Sequence, residues 1–344
     1  MPGIFKKSVA LLSLFCSCAP LVSQAFIVPS SVTPSRHVLF SAVQQDVNVK
    51  AGGGDDDDLL SRDRYVAMNR FSVREGQQAK FEKRWATRKS RLATLDGFKY
   101  FHLMRRVSLN EDGTNTYDEG GSNNDDDAFG NYVSFTIWDL KSNFQAWRQG
   151  EAFKEAHGGT SIGAFVSAMV GSLMVLRGPP KPAFYDGLLV QSTIPTVLPE
   201  VVDGWRRVEA DGVETLGAEC FVSCNQFFVP PPHAAGFEQR WASRKSQLAE
   251  CDGFVAFGML RRDLGGANRH INNDEPNYLS TTIWRDRQAF DGWRNGAAFR
   301  KAHGSGQGQG EQARQQEPPK PQWSKPPQPV FYEGILVINT EDGA

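Results

Sequence analysis

The stretch FEKRWATRKSRLATLDGFKYFHLMRR, residues 81–106, decides the fold because it is written twice. It realigns with FEQRWASRKSQLAECDGFVAFGMLRR, residues 237–262, at 16 of 26 positions without a gap. Further out, YVSFTIWDLKSNFQAWRQGEAFKEAHG (132–158) matches YLSTTIWRDRQAFDGWRNGAAFRKAHG (278–304) at 14 of 27 positions. GPPKPAFYDGLLV (178–190) matches KPPQPVFYEGILV (325–337) at 8 of 13. Three collinear blocks with a period near 150 residues describe tandem domains. The repeats of a solenoid are only about 20–50 residues long.

Each unit reads as βαββαβ. Arg64–Val73 alternates like a strand, with Val66, Met68 and Arg70 on one face and Ala67, Asn69 and Phe71 on the other. Gly76 opens a helix whose apolar positions Ala79, Trp85, Leu92 and Leu95 keep helical spacing, and Gly97 ends it. Phe98–Val107 and Tyr132–Trp138 read as strands on either side of a polar, acidic loop. A second helical region begins near Ser142, and Ala183–Val190 is the closing strand.

That order is the ferredoxin-like split, an α+β unit with helices on one face of its sheet. The other face needs cover, and a second copy in the same chain is its natural partner. The expected architecture is therefore two tandem ferredoxin-like domains, 61–192 and 218–340, joined by a linker at 193–217. Together they would form an intramolecular pseudo-dimeric α/β barrel, monomeric as a chain. Residues 160–176 occur only in the first unit and put Ile162, Phe165, Val166, Met169, Leu173 and Leu176 on one helical face, a cap over the core or a pocket. Their counterpart, 304–325, is rich in Gly, Gln and Pro and reads as a loop.

The first sixty residues read as address label and connector. Residues 1–25 have a basic start, an apolar stretch and a small-residue end, the layout of a signal peptide. Residues 26–60 begin with a Ser-, Thr- and Pro-rich, transit-like stretch and finish with the acidic connector AGGGDDDDLL. A signal peptide running at once into a transit-like segment resembles the bipartite presequence of algae with secondary plastids. The expected location is thus the plastid, with plain secretion as the alternative. No apolar run in the remainder is long enough to span a membrane. The full chain carries 38 Lys and Arg against 39 Asp and Glu, a balance that argues against nucleic acid as a partner. Five Cys without a CxxC pair exclude a disulfide scaffold and give no zinc signature. Cys220 and Cys224, on the face opposite Asn225, read as buried thiols.

Three residue types recur in register where they could line one cavity. Asn69 on the first strand returns as Asn225. Trp147 and His157, ten residues apart around Gly150, return as Trp293 and His303. A helix break at Gly150 would turn Trp147 toward the cavity, and His157 would end the helix that follows, near its negative dipole end. One His per block is too few for zinc, which takes three or four ligands. It is enough for an iron already held by a porphyrin. Retention of a packed core accounts equally for the duplicated pair, so spacing alone leaves both readings open.

The N-R-F strand, the FEKRWATR helix, the DGF turn, the Y-x-S-x-T-x-W strand and the F-x-x-W-x-x-G-x-A-F-x-x-A-H run resemble the antibiotic biosynthesis monooxygenase (ABM) superfamily. More narrowly, they are similar to the Isd-type heme-degrading monooxygenases, across 64–191 and 220–338. The resemblance implies that His157 and His303 are axial ligands to heme iron. Asn69 and Asn225 would hydrogen-bond the oxygen ligand, and Trp147 and Trp293 would press on the porphyrin. Trp85 and Trp241 would lie against the heme, with Arg88 and Arg244, beside Arg84 and Arg240, meeting its propionates or simply facing solvent. It further implies heme as both substrate and cofactor, dioxygen, and an external electron donor, either a reductase or ferredoxin or a small reductant. The products would be iron and a linear tetrapyrrole. The alternatives are a cofactor-free ABM oxygenase acting on a quinol or other aromatic, and a non-catalytic heme carrier or sensor.

Overall fold

The computed structural model describes residues 58–117, 130–156, 171–193, 197–244, 246–265, 275–303 and 322–341, with the side chains of 301–303 left aside. The first repeat runs β1 (Arg64–Phe71), α1 (Gln78–Ala86), β2 (Phe98–Leu109), β3 (Asn115–Tyr117), β4 (Tyr132–Trp138), α2 (Lys141–Gln149), α3 (Glu151–Ala156) and β5 (Lys181–Ser192). The second runs β6 (Cys220–Phe227), α4 (Ala234–Ala242), β7 (Phe254–Arg262), β8 (Tyr278–Trp284), α5 (Arg287–Asn295), α6 (Ala297–His303) and β9 (Gln328–Asn339).

Within the first repeat the strands lie in the order β2-β4-β1-β5, and within the second in the equivalent order β7-β8-β6-β9, the ferredoxin-like arrangement. Two antiparallel seams, β5 with β7 and β2 with β9, join the repeats and close the eight strands into a barrel. β3 is a short appendage of β2. The face of β1 that carries Val66 and Met68 points into the barrel, where it meets Val222, Cys224 and Leu260 of the second repeat. The opposite face, with Tyr65, Ala67 and Phe71, packs under the helices with Phe81 and Phe144. Cys220 and Cys224 lie inside the barrel, as their register predicts, and burial pushes both thiols up to about 12.

Two details depart from the sequence reading. The helix expected to run to Gly97 stops at Ala86, and a single 3-10 turn, Leu92–Thr94, follows. The Thr87 hydroxyl donates back to Lys83 O at 2.8 Å, and Ser243 does the same to Arg240 O at 3.0 Å. Such side-chain bonds compete with helix continuation. Leu92 is still buried, but by the turn. Of residues 160–176 only 171–176 are described. There the chain is helical over 171–175, as expected, and Leu176 bridges to Val73; Leu173 is exposed while Val175 and Leu176 are buried, so Leu173 lies off the buried side of that helix. Residues 304–321 and the presequence lie outside the described residues.

The arms that precede the two repeats are exchanged. Leu60, at the end of the expected connector, donates its N–H to Glu238 Oε2 of the second repeat at 2.6 Å. Leu216, its counterpart, donates to Glu82 Oε2 of the first at 2.5 Å. Both carboxylates are fully buried and also serve a guanidinium and a phenol. Arg105 Nη1 and the Tyr132 hydroxyl donate to Glu82 at 2.8 and 2.6 Å. Arg261 Nη1 and the Tyr278 hydroxyl donate to Glu238 at 3.0 and 2.7 Å. Burial and then the adjacent carboxylate push both phenols up. Each guanidinium also crosses a seam, Arg105 to Glu333 at 3.1 Å and Arg261 to Asp186 at 3.1 Å. The two repeats are thus riveted by reciprocal buried ion pairs, whose partners all recur in register in the sequence.

Candidate functional site

The helix-covered face of each sheet is large and aromatic at its ends and small in its middle. In the first repeat Tyr65 opposes Trp138 at one end and Phe71 opposes Tyr132 at the other. Between them Ala67 opposes Thr136 and Asn69 opposes Ser134. The second repeat copies this with Phe221 opposite Trp284, Ser223 opposite Thr282, Asn225 opposite Ser280 and Phe227 opposite Tyr278. Alternation along a strand puts these residues on one face. Ser134, Thr136, Ser280 and Thr282 are buried, whereas Asn69 and Asn225 remain partly open. The result is a short, polar floor bounded by rings.

The walls come from the helices. Trp85 on α1 meets Phe71 edge-on at 5.7 Å and stacks on Phe101 at 5.7 Å and 23°. Trp241 on α4 repeats both contacts, with Phe227 at 5.8 Å and with Phe257 at 6.1 Å and 19°. The Arg88 guanidinium lies over the Trp85 ring at 4.7 Å, and that of Arg244 over Trp241 at 4.3 Å. Burial, followed by the charge of Arg84, pushes Arg88 down to about 10, and burial followed by Arg240 lowers Arg244. These arginines therefore favour an anionic partner. Arg84 itself is exposed and reaches the Ser172 hydroxyl at 3.4 Å.

Trp147 and Trp293 form the far wall. The helix does break at Gly150 and at Gly296, where the backbone is extended with ψ of 171° and 174°. A methyl group at Gly296 would come within 2.9 Å of Gly292 O, so the bend requires glycine. The break folds Phe153 back edge-on against Trp147 at 5.1 Å and Phe299 against Trp293 at 4.9 Å. Trp147 also rests on Trp138 at 5.5 Å, and Trp293 on Trp284 at 5.4 Å.

Asn69 and Trp147 consequently stand at different ends of the floor. Four residues of strand, about 13 Å, separate Asn69 from the Tyr65–Trp138 end where Trp147 is anchored. A cleft of about 640 Å³ opens beside Trp147, between the 3-10 turn and α2–α3, with Arg91, Thr94, Asn143 and Gly150 in its lining. That volume suits a small-molecule ligand. His157 lies outside the described residues, and His303 is described only as the last backbone position of α6. Among the described residues no three His, Cys, Asp or Glu side chains gather as ligands for a bare metal ion.

Glu82, Arg105 and Tyr132, with Glu238, Arg261 and Tyr278, escaped the reading of candidate residues. None of them lines the cleft beside Trp147, yet they fix α1 and α4, and with them Trp85 and Trp241, to the sheet. Their recurrence in the two repeats was the available signal.

Comparison with known proteins adds the lineage. None of the curated proteins matches the chain. Among solved structures, a Fusobacterium nucleatum protein classed as a monooxygenase is 8% identical, covering 82% of this chain and 97% of its own, with a TM-score of 0.47. The heme-degrader MhuD of Mycobacterium tuberculosis is 23% identical over 34% of this chain and 96% of its own, at a TM-score of 0.24. The heme-degrading enzyme LmHde of Listeria monocytogenes is 7% identical over 78% and 99%, at 0.27. Assignment rests instead on the family described as antibiotic biosynthesis monooxygenase, which matches residues 64–159 and 221–305, more than half of the chain. The chain is a tandem member of the antibiotic biosynthesis monooxygenase family.

Proposed function

We propose that the chain is a heme-degrading monooxygenase with a site on the helix-covered face of each repeat. The observation that carries this reading is the duplicated floor. A partly open Asn among small buried side chains lies between indole walls, and a His follows each wall tryptophan by ten residues. A flat macrocycle with carboxylate edges fits such a slot. Small floor residues leave room for its plane, rings flank it, and the Arg88 and Arg244 guanidiniums supply positive charge at one end.

In this reading His157 and His303 hold the iron of the bound substrate. When bound, heme supplies the iron at which dioxygen is activated, and an external donor supplies electrons. Asn69 and Asn225 offer amide donors from the floor. Trp147 and Trp293, held by their ring clusters, would press against a bound macrocycle. Trp85 and Trp241 close the opposite side and exclude water. The same reading takes 61–192 and 218–340 as the domains, the chain as a monomer that is its own pseudo-dimer, and the plastid as its location.

Hemin titration tests it. Purified chain is expected to shift the Soret band with two hemes per chain, and the His157→Ala/His303→Ala double variant to lose the shift. Reductant under oxygen is then expected to bleach the band and release iron. An unshifted band in the wild-type chain would overturn heme binding in favour of a free aromatic substrate, and a persistent band under turnover conditions would make the protein a carrier.

A further inference from the structure

Inside the barrel the two repeats supply unequal volume at equivalent positions. His102 on β2 is fully buried, its ring 5.2 Å from that of Phe135 on β4. The second repeat has Gly258 in place of His102 and Thr281 in place of Phe135. Two rings are thereby exchanged for a hydrogen and a hydroxyl. The seams differ at the same height. In β2–β9, His102 pairs directly with Val337, and the irregularity comes one step later, between Leu103 and Met104. In β5–β7 the register slips between Leu188 and Gln191, beside Gly258, and Leu189 takes a φ of 53°.

A cavity of about 40 Å³ results, with Val66, Phe135, Ile137, Ala256, Leu260 and Ile283 around it and Gly258 and Val190 at the seam. Arg64 and Thr281 are the polar residues in its lining, and the Thr281 hydroxyl is turned to Cys224 Sγ at 3.8 Å. The cavity is partly open, and its lining offers too few polar partners to hold a water firmly, so it favours apolar guests such as xenon. Phe257 also borders the cavity, and its ring is the one on which Trp241 stacks. The Phe257 ring lies on the helix face, so strand β7 itself separates the cavity from the wall of the second repeat's slot.

We propose that this cavity binds a single small apolar molecule and that in the working protein this molecule is dioxygen, held in reserve for the site of the second repeat. The supply role rests on the oxygenase reading; the cavity's ligand class does not.

Xenon tests the ligand class. Crystals of the full chain under xenon pressure are expected to show one xenon between Phe135, Ala256 and Ile283, absent in Gly258→Val. Gly258→Ala, whose added methyl group meets only Leu260 Cδ2 at 3.7 Å, is expected to lower its occupancy and serves if the valine variant fails to fold. No xenon there, or full occupancy in Gly258→Val, would overturn the proposal. Hemin turnover against oxygen tension tests the role. Gly258→Val in a His157→Ala background, where only the second site works, is expected to raise KM for dioxygen several-fold at unchanged kcat. The same substitution in a His303→Ala background is expected to change neither. An unchanged KM in the first background would overturn the supply role. A wild-type chain that takes xenon but turns over no hemin would overturn the enzyme reading and leave the ligand class standing.

Discussion

The two repeats keep the same Asn, Trp and ring positions on the outside of the barrel and part company inside it. On the helix side Asn69, Trp85 and Trp147 meet their counterparts Asn225, Trp241 and Trp293 in matching contacts, with ring distances that differ by a few tenths of an ångström. On the barrel side the first repeat has His102 and Phe135 where the second has Gly258 and Thr281. Each outer face must work alone, because its helices and floor come from one repeat. The interior is a single core filled from both sides, so only the summed volume is constrained. Fusion into one chain permits that asymmetry; a homodimer would have to repeat His102 or Gly258 on both sides.

The largest expected effect probes the outer equivalence. His157→Ala and His303→Ala, each alone, should lower hemin stoichiometry from two to one, as read by Soret titration. A single variant that loses both hemes would break the picture of independent outer faces. Next comes the pair of rivets. Arg105→Ala strands a fully buried Glu82 and should cost about 3–5 kcal/mol in urea unfolding. Arg261→Ala should cost less, because that side chain is 20% exposed where Arg105 is 2%. Equal losses would show that burial does not set the scale here.

The interior asymmetry predicts acid sensitivity from one repeat only. Burial pushes His102 down to about 3 from an ordinary 6.5, and neither ring nitrogen has a hydrogen-bond partner among the described residues. Between those values the unfolded chain binds the extra proton, so stability is lost as pH falls, by about 1.4 kcal/mol per unit. Above 6.5 the imidazole is neutral in both states and the effect vanishes. His102→Phe should remove this loss, leaving the variant about 2 kcal/mol better off near pH 5 than the comparison near pH 7.5 implies. Parallel pH profiles of wild type and variant would sink the assignment. The smallest effect is Gly258→Ala, which should stabilise by about 0.5–1 kcal/mol by stiffening a strand glycine over open space. A loss of stability would mean that the cavity has no room for a methyl group.

Much of this organisation is legible in the residues. The alternation of Arg64–Phe71 put Val66 and Met68 on one face and Asn69 on the other, because strand periodicity is set by backbone geometry alone; the closed barrel decided which face turns inward. The Gly150 break was legible for the same local reason. The end of α1 was not, since Leu92 and Leu95 keep helical spacing while being buried by a 3-10 turn. The helical reading holds over 171–175, but Leu173, expected on the apolar face, is exposed there, while Leu176 is buried where it bridges to Val73.

By itself the sequence determined the duplication, the strand faces, the paired Asn, Trp and His positions and the buried thiols, all properties of local periodicity or of self-comparison. Tertiary structure alone decided which repeat each arm docks on, that Arg105 and Arg261 cross the seams, and that Gly258, standing where the first repeat has His102, leaves a cavity on one side. Those depend on which groups meet across a closed barrel, and closure brings together residues more than a hundred positions apart, such as Arg105 and Glu333.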